Sequence, residues 1–421
     1  VAADQNQLLK DLMDRVAEKH DLKIIFHEKP FARLNGNGKH NNWSLITNTG
    51  VNLFQPSSSA RENLQFLTFF VCTIKAVYEY ADLLRASVAS AGNDYRLGAN
   101  EAPPAIISVF IGEQLSAVLD ELEHNGNIQV EKGDNMYMKL GIDKIPEIMV
   151  DNTDRNRTSP FAFTGNKFEF RAVGGDANVA APMTVLNLIV AHQLTEFART
   201  VDKEINKGED KRLAIVKVLR NYIKTSAKVR YDGDGYSDYW IKEAEKRGLT
   251  NVKDTPNALG AYLDEKSVKL FGKFKVLSDR ELRARQEILY ENYVLKIQIE
   301  SRVMGDLAIN HIIPTAVAYQ NKLIQNANGL AGLKIDNTSV VETIKEINQY
   351  IDEIRKSVRA MIEARKRINK IKDYKEKATA YSEQVKNQFF DSIRYSVDKL
   401  ELIIDDEDWP LVKYREMLFL R

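Results

Sequence analysis

Residues 154–171 read DRNRTSPFAFTGNKFEFR, and the last five of them alternate between charged and aromatic side chains. Alternation with a period of two is typical of a β-strand that buries one face. Phe168 and Phe170 would then point toward the core, and the charged side chains would point away from it. That charged row suits a site that holds a metal ion beside an anionic substrate, although a solvated strand face is the simpler interpretation of five residues alone. The residues of the row are Lys167, Glu169 and Arg171.

Composition limits the classes of function. A chain of 421 residues allows two or three domains with a large core. Its 60 basic and 59 acidic side chains nearly cancel, so nucleic acid is not expected as the main partner. No apolar run reaches the roughly 18 residues that predict a membrane span. Cys72 is the only cysteine, which excludes an internal disulfide and favours the cytoplasm as the compartment.

A glycine-rich turn and a second strand are predicted near the beginning of the chain. Residues 35–40 read NGNGKH, and a strand is expected over 41–47. His40, Asn42 and Ser44 would share one face of that strand. Glycines allow close approach of a ligand to the backbone, whose N–H groups can hold an anion. Asn-Gly turns between strands are more often plain hairpins, so this alternative stays open.

A third polar segment, residues 92–104, reads GNDYRLGANEAPP and is predicted to be irregular. It contains Arg96 and Glu101 between a glycine and two prolines. Rigid loops of this kind often carry functional residues. The alternative is a surface salt bridge, which contributes little to stability.

Most of the remaining chain has helical periodicity. Apolar residues predict a strand over 22–30, one long helix over 58–91 and an amphipathic helix over 182–206. A long helix is expected over 278–328, with a bend near Pro314. Beyond residue 338, apolar residues at spacings of three and four predict a helical bundle or antiparallel coiled-coil seam. Its members are Val341, Ile344, Ile347, Ile351, Ile354, Val358, Ile362, Ile368 and Ile371.

Three segments together resemble glutamine synthetase, in the long type III form found in bacteria. They are HEKPFARLNGNGKHNNWSL (27–45), GNDYRLGANEAPPAIISVFIG (92–112) and DRNRTSPFAFTGNKFEFR (154–171), in the order of the family. The resemblance implies an α+β fold, with an antiparallel-sheet catalytic domain backed by helices. That domain would cover residues 1–275, incomplete at its N-terminus, and a helical C-terminal domain would cover 276–421.

The resemblance also implies a reaction. ATP would phosphorylate L-glutamate to γ-glutamyl phosphate, and ammonia would displace the phosphate to give L-glutamine, the step of nitrogen assimilation. Mg²⁺ or Mn²⁺ would be the metal, and the enzyme would be a homo-oligomeric double ring of two stacked hexamers. The same fold could instead join glutamate to a larger amine. A non-catalytic structural relative is the third reading.

Roles for the catalytic and metal-binding residues follow from the resemblance. Glu101 resembles the flap glutamate that closes the site and takes a proton from ammonium. Arg157 resembles the arginine that neutralises phosphate charge during transfer, which is where phosphoryl transfer needs cations. His40 and Glu169 resemble metal ligands, and a mixed imidazole–carboxylate site suits Mg²⁺ or Mn²⁺. A closing loop would exclude water from the acyl phosphate.

Binding roles follow in the same way. Arginine forks pair with carboxylates bidentately, which suits the two ends of glutamate. The residues that resemble glutamate-binding positions are Asn35, Gly36, Arg96 and Arg171. The residues that resemble nucleotide-binding positions are Asn42, Trp43, Ser44, Arg157 and Lys167.

The chain also departs from the family. Asn42 stands where many relatives have a second histidine, and Ala162 and Lys167 stand where shorter forms have arginine. The chain begins without methionine just before a predicted helix, so we expect it to be a part of a longer polypeptide. Further metal-binding glutamates and a small β-domain would precede residue 1. Because His40 and Glu169 alone are too few ligands for Mg²⁺, we expect the chain alone to be inactive or nearly so.

Overall fold

A computed structural model of the chain describes residues 2–24, 26, 36–56, 60–99, 102–124, 158–413 and 416. The chain forms two compact units. One is His27–Gln286, called here the sheet unit, and the other combines Val1–Phe26 with Glu287–Arg421, called the helical unit. The predicted α+β class is confirmed, while the predicted domain boundary after residue 275 stays a prediction. Among the helices of the described residues, none has the length and apolar character needed to cross a bilayer.

The sheet unit contains one four-stranded sheet in the order β1-β4-β3-β2. β4 pairs antiparallel with both β1 and β3, whereas β2 pairs with β3 in parallel. The sheet is therefore mixed: the pairings of β4 are antiparallel, as predicted, and the edge strand β2 adds one parallel pairing. The strands are β1 (Gly38–Trp43), β2 (Val109–Phe110), β3 (Phe161–Phe163) and β4 (Phe168–Gly174).

Nine complete α-helices of the described residues separate or follow the strands along the chain of the sheet unit. The predicted helix over 182–206 is confirmed as α6. Short 3₁₀ turns cover Ala227–Val229 and Leu259–Leu263. The helices are α2 (Ala60–Glu79), α3 (Ala81–Ser87), α4 (Ala91–Arg96), α5 (Glu113–His124), α6 (Ala180–Asn206), α7 (Lys211–Ser226), α8 (Asp238–Lys246), α9 (Thr255–Ala258) and α10 (Glu265–Lys273).

An aromatic cluster fills the buried side of the sheet. Phe168 and Phe170 have no exposed surface, as the alternating pattern predicts. Phe168 stacks on Phe161 with ring centroids 4.7 Å apart, and Phe70 of α2 meets Phe163 edge-on at 4.9 Å. Offset and edge-on aromatic pairs are favourable beyond their buried area. The cluster therefore fixes which face of β4 is turned outward.

The helix predicted over 58–91 is interrupted. Tyr80 leaves helical geometry with φ −123°, and α3 follows it. Ser90 is extended, with φ −156°, and its Oγ accepts a hydrogen bond from the Asn93 N–H at 3.2 Å, which begins α4. Arg96, predicted in an irregular loop, is the last residue of that helix. The prediction is wrong because it overlooked serine as an N-cap.

The strand predicted over 22–30 is also wrong where the structure describes it. Residues 22–24 and Phe26 lie outside any strand, and the side chains of Leu22 and Phe26 are exposed. The turn after the first helix uses Asp21 at φ +56°. An apolar run becomes a strand only if a sheet edge pairs with it, which the sequence pattern does not reveal. Residues 25 and 27–30 lie outside the described residues.

A buried ion pair joins three segments of the sheet unit. Arg85 Nη2 of α3 lies 3.4 Å from Asp94 Oδ1 of α4, and both side chains are almost fully buried. Arg85 Nε donates to the Val252 carbonyl at 2.9 Å, and the Thr255 N–H and hydroxyl donate to Asp94. Burial lowers the pKa of the Arg85 guanidinium, and the Asp94 carboxylate opposes that shift. The pair holds α4 in place and thereby the helix end that carries Arg96.

The helical unit consists of long helices interrupted by two π-helical segments. One segment, Leu307–Ile312, separates α11 from α12 immediately before Pro314, so the single helix predicted over 278–328 is two helices. The other, Ser382–Phe390, separates α14 from α15. π segments are rare and mark local departures from regular helical packing. The helices are α1 (Ala2–Glu18), α11 (Asp279–Asp306, of which the residues up to Gln286 belong to the sheet unit), α12 (Ile313–Gly332), α13 (Thr338–Ile368), α14 (Tyr374–Tyr381) and α15 (Asp391–Ile403).

The predicted seam is present along α13, except that Ile362 is off the seam and Ile371 lies beyond the end of the helix at Ile368. Ile362 is 37% exposed, and Met361 takes its place in the core. After Val358 the heptad continues with a step of three residues, so the aliphatic side chain at 362 falls on the outer face. The buried seam residues are Ile347, Ile351, Ile354, Val358, Met361 and Ile368.

The loss of stability on truncating an aliphatic side chain of α13 should depend on whether that side chain lies on the buried seam. Ile354→Ala removes a fully buried side chain and should lower the free energy of unfolding by about 2–5 kcal/mol. Ile362→Ala is the matched control in the same helix and should cost less than about 1 kcal/mol. Urea unfolding followed by circular dichroism measures both. Equal losses would contradict the assigned seam.

Loss of one partner of the buried ion pair should be costly. Asp94→Ala leaves the Arg85 guanidinium buried without its carboxylate, and a loss of about 3–5 kcal/mol is expected. Asp82→Ala is the control, because Asp82 is partly exposed and lies 3.8 Å from Lys266. Its loss should stay below about 1 kcal/mol. Thermal or urea unfolding measures both variants. If Asp94→Ala and Asp82→Ala lost similar amounts of unfolding free energy, the assignment of the buried ion pair would be wrong.

Candidate active site

The pairing of β1 with β4 brings the predicted polar residues together. Asn42 lies opposite Glu169, Asn41 opposite Phe170, and Lys39 opposite Val173. Between these pairs β4 has one residue more than β1, so Arg171 and Ala172 both oppose His40. Such a bulge redirects side chains and is common beside active sites. The geometry of this face therefore depends on a local irregularity of the ladder.

Glu169 lies at the centre of the polar face. Its Oε2 accepts hydrogen bonds from Arg171 Nε at 3.2 Å and Nη2 at 3.1 Å, and lies 3.9 Å from His40 Nδ1. The side chain of His40 is 36% exposed, that of Glu169 20% and that of Arg171 4%. Exposure thus decreases from His40 to Arg171. The arrangement places a carboxylate between an imidazole and a buried guanidinium.

Arg96 lies beside the same sheet and is only 2% exposed. Its Nη1 donates to Asn93 Oδ1 at 3.1 Å, and its Nη2 donates to the Arg171 carbonyl at 3.3 Å. The guanidinium covers Gly38 so closely that a Cβ on that residue would lie 1.8 Å from Nη2. Only glycine leaves this space on β1. The glycine of the turn is therefore explained by Arg96, in addition to any contact with a ligand.

Asn93 is a residue that sequence analysis missed. It is fully buried, and its Nδ2 donates to the Val88 carbonyl at 2.7 Å and to the Ala172 carbonyl of β4 at 2.9 Å. The same side chain accepts from Arg96, so it joins α4 to β4 and orients the guanidinium. Its position three residues before Arg96 would have indicated a shared helical face, had α4 been predicted.

Two residues with a predicted nucleotide role lie elsewhere around β1. Trp43 points to the aromatic core, where its Nε1 donates to Asn187 Oδ1 of α6 at 2.8 Å. Ser44 follows the strand, and its Oγ donates to Asn52 Oδ1 at 3.0 Å and to the Asn166 carbonyl at 3.2 Å. The structure therefore does not bring these two side chains together with His40 and Glu169.

Of the remaining residues with a predicted role, some lie in the part of the chain that the structure describes and others lie outside it. Asn42 is exposed on the face of Glu169, and Gly36 lies two residues before β1. Lys167 closes the turn between β3 and β4, where its carbonyl accepts from the Thr164 N–H at 2.9 Å. Their roles stay predictions. The predicted residues outside the described part are Asn35, Glu101 and Arg157.

His40 and Glu169 have the chemistry of metal ligands but are few. A nitrogen and a carboxylate oxygen are donors that Mg²⁺ or Mn²⁺ sites use, and Mg²⁺ requires near-octahedral coordination. Within the described part of the chain, no group of three or more His, Cys, Asp or Glu side chains is placed to hold a metal ion. The pair can therefore supply two ligands of a site, and complete coordination needs further oxygen donors.

Comparison with known proteins extends along the whole chain. The family model of the glutamine synthetase catalytic domain matches residues 1–106, and that of the glutamine synthetase C-terminal domain matches residues 214–331. A glutamine synthetase of Bacteroides fragilis (strain YCH46) is 50% identical over 428 aligned residues, which cover 100% of this chain and 59% of that protein.

Two further relatives agree with these matches. A type-3 glutamine synthetase of Dictyostelium discoideum is 42% identical and a glutamine synthetase of Butyrivibrio fibrisolvens is 36% identical, each over 100% of this chain and over 58% and 59% of the relative. The chain thus spans about three-fifths of the length of the curated relatives it matches. With two family models matched in separate regions and relatives aligned along all of its residues, the chain belongs to the glutamine synthetase family.

Proposed function

We propose that this chain is part of an ATP-dependent glutamate–ammonia ligase that forms L-glutamine through γ-glutamyl phosphate. The observation that carries the proposal is the polar face of β1 and β4, where Glu169 lies between His40 and Arg171. The names of the relatives support the same activity. A carboxylate held by arginine beside an imidazole can take part in binding a metal and an anionic substrate on one surface.

Arg96 and Arg171 are the proposed anchors for the carboxylates of glutamate, together with Asn35 and Gly36. Both guanidinium groups are buried and already held by hydrogen bonds to protein oxygens. Side chains that are ordered before binding lose less conformational entropy when the substrate arrives. Their forked geometry suits a dicarboxylic amino acid.

His40 and Glu169 would hold Mg²⁺ or Mn²⁺, which when bound would neutralise charge on the ATP phosphates. Arg157 is proposed to neutralise the transferred phosphate, and Glu101 to close the site and accept the ammonium proton. Asn42, Trp43, Ser44 and Lys167 are proposed to contact the nucleotide. Indirect contact is implied for Trp43, since its indole is turned to the core.

The assembly and compartment are part of the same proposal. The family resemblance supports a homo-oligomer of two stacked hexameric rings that works in the cytoplasm. Because the described residues supply two metal donors, we propose that residues outside this chain complete the site and that the chain alone has little activity.

Replacement of the central carboxylate tests the function. In the full-length protein that contains this chain, Glu169→Gln keeps an oxygen acceptor for Arg171 but removes the negative charge. ATP- and ammonium-dependent glutamine formation should fall by about 100-fold or more, with little change in the melting temperature.

Glu196→Gln is the matched control, because Glu196 lies on α6 and pairs with Lys273 at 3.0 Å, outside the polar face. Its glutamine formation should stay within about twofold of the unmodified protein. If Glu169→Gln retained half of the activity, the proposed role of this face would be wrong.

The space over Gly38 gives a second test. Gly38→Ala would place a Cβ where the Arg96 guanidinium lies, and this flexible side chain must move out of its position. The KM for glutamate should rise by about tenfold, which corresponds to about 1.4 kcal/mol of binding. Gly272→Ala is the control, since a Cβ there meets nothing within 4 Å in α10. Steady-state kinetics with varied glutamate would contradict the assignment if both variants behaved alike.

A further inference from the structure

Helix α11 carries apolar side chains on two opposite sides. With about 100° between successive residues, Tyr290, Val294 and Ile297 lie on one side, and all three are buried. Four aliphatic side chains lie on the other side, within an arc of about 80°, and extend over about 22 Å of the helix. Each of them is between 51% and 55% exposed. This exposed stripe consists of Ile288, Leu295, Ile299 and Val303.

The stripe differs from the scattered apolar residues of an ordinary surface. Its members follow each other at spacings of seven, four and four residues, which keeps them on one face of the helix. Asn292 interrupts this face between the first two members. The whole stripe belongs to the part of α11 that lies in the helical unit, which starts at Glu287. A contiguous apolar face of this kind is typical of a surface that is covered in the assembled protein.

The charges beside the stripe are arranged differently on its two edges. On one edge, Lys296 Nζ lies 3.7 Å from Glu300 Oε1, so the two charges are balanced within the chain. On the other edge, Glu291 and Arg302 are exposed and lie about 17 Å apart along the helix, too far to pair with each other. Within its own chain Glu291 accepts a hydrogen bond from the Tyr374 hydroxyl. The second edge thus has a negative end and a positive end.

This pattern is self-complementary under a two-fold axis perpendicular to the helix. The midpoint between Glu291 and Arg302 and the midpoint between Ile288 and Val303 fall within about one residue of each other. An antiparallel copy of α11 would therefore place its Arg302 opposite Glu291, and the reverse pair would form at the other end. The same rotation places Ile288 opposite Val303 and brings the Leu295 side chains of the two copies together. A parallel copy would instead place like charges opposite each other.

We propose that the exposed stripe of α11 is a contact between two copies of this chain, which pair antiparallel about a two-fold axis near Leu295. Two-fold contacts of this kind are the commonest in homo-oligomers. Four half-exposed side chains bury less than the roughly 1,200–2,000 Å² of a stable dimer, so the contact acts within an assembly that other surfaces also hold. The proposal shares with the proposed function the association of copies, and it requires neither ligase activity nor the ring arrangement.

Disulfide cross-linking in the full-length protein that contains this chain tests the contact. Leu295→Cys places a thiol beside the axis, where two copies come within reach of a disulfide. Mild oxidation should convert most of the protein into a covalent dimer, and mass spectrometry of the linked peptides should show position 295 joined to position 295 of a second copy. Ile362→Cys is the matched control, because Ile362 is an exposed aliphatic residue of α13 outside the stripe. It should form no more dimer than the unmodified protein, in which Cys72 is fully buried.

Charge reversal tests the register of the pairing in the Leu295→Cys protein. Glu291→Lys and Arg302→Glu each place like charges opposite each other at both ends of the contact, so each should slow dimer formation by about tenfold. Together they should restore it, because the opposite charges are exchanged rather than lost. The double variant does not restore the hydrogen bond between Glu291 and Tyr374. A role of Glu291 within one chain would therefore leave the double variant as slow as Glu291→Lys alone.

Light scattering measures the mass of the assembly and separates this proposal from the proposed homo-oligomer. If the protein assembles but Leu295→Cys is linked no more than Ile362→Cys, the stripe is not a contact between copies. A link from position 295 to another segment of the same polypeptide would show that this segment covers the stripe, which would also overturn the proposal. Failure of the double reversal to recover dimer formation would overturn the antiparallel pairing.

Discussion

The antiparallel pairing of β1 with β4, with its bulge opposite His40, is the constraint on which the rest of the site depends. The buried phenylalanines fix one face of β4 in the core, so the alternate residues must face outward. The bulge then changes the spacing beyond Glu169, and Arg171 turns back onto its carboxylate. Without the aromatic cluster, a slip of one residue would exchange the two faces of the strand.

Behind this ladder, Arg96 is held by a chain of contacts that begins far from the polar face. The ion pair of Arg85 with Asp94 fixes α4, Asn93 joins that helix to β4, and the absence of a side chain at Gly38 leaves room for the guanidinium. Burial of a charged group is costly unless its donors are satisfied. The hydrogen bonds to Arg96 offset the cost of burying its guanidinium, and they also fix its position. The same bonds therefore contribute to the stability of the fold and to the proposed binding of substrate.

The parts that could be predicted from sequence are those set by local periodicity. The outward face of residues 167–171 and helix α6 follow from alternation and helical spacing, which neighbouring residues determine. The helix carrying Arg96, the parallel edge strand β2 and the position of Met361 in the seam depend on a cap, a sheet edge and a partner helix. None of these is visible in a short window of sequence. Asn93 was missed for this reason, and the roles of the site residues came from family resemblance.

Two buried arginines of the sheet unit have their charge balanced by the chain itself. Arg85 and Arg171 each lie against a carboxylate of the chain itself, Asp94 and Glu169. Such pairs form as the protein folds, and they order the structure around them. Since a buried charge is retained only where something offsets its cost, these carboxylates explain why both guanidinium groups can stay buried in the fold.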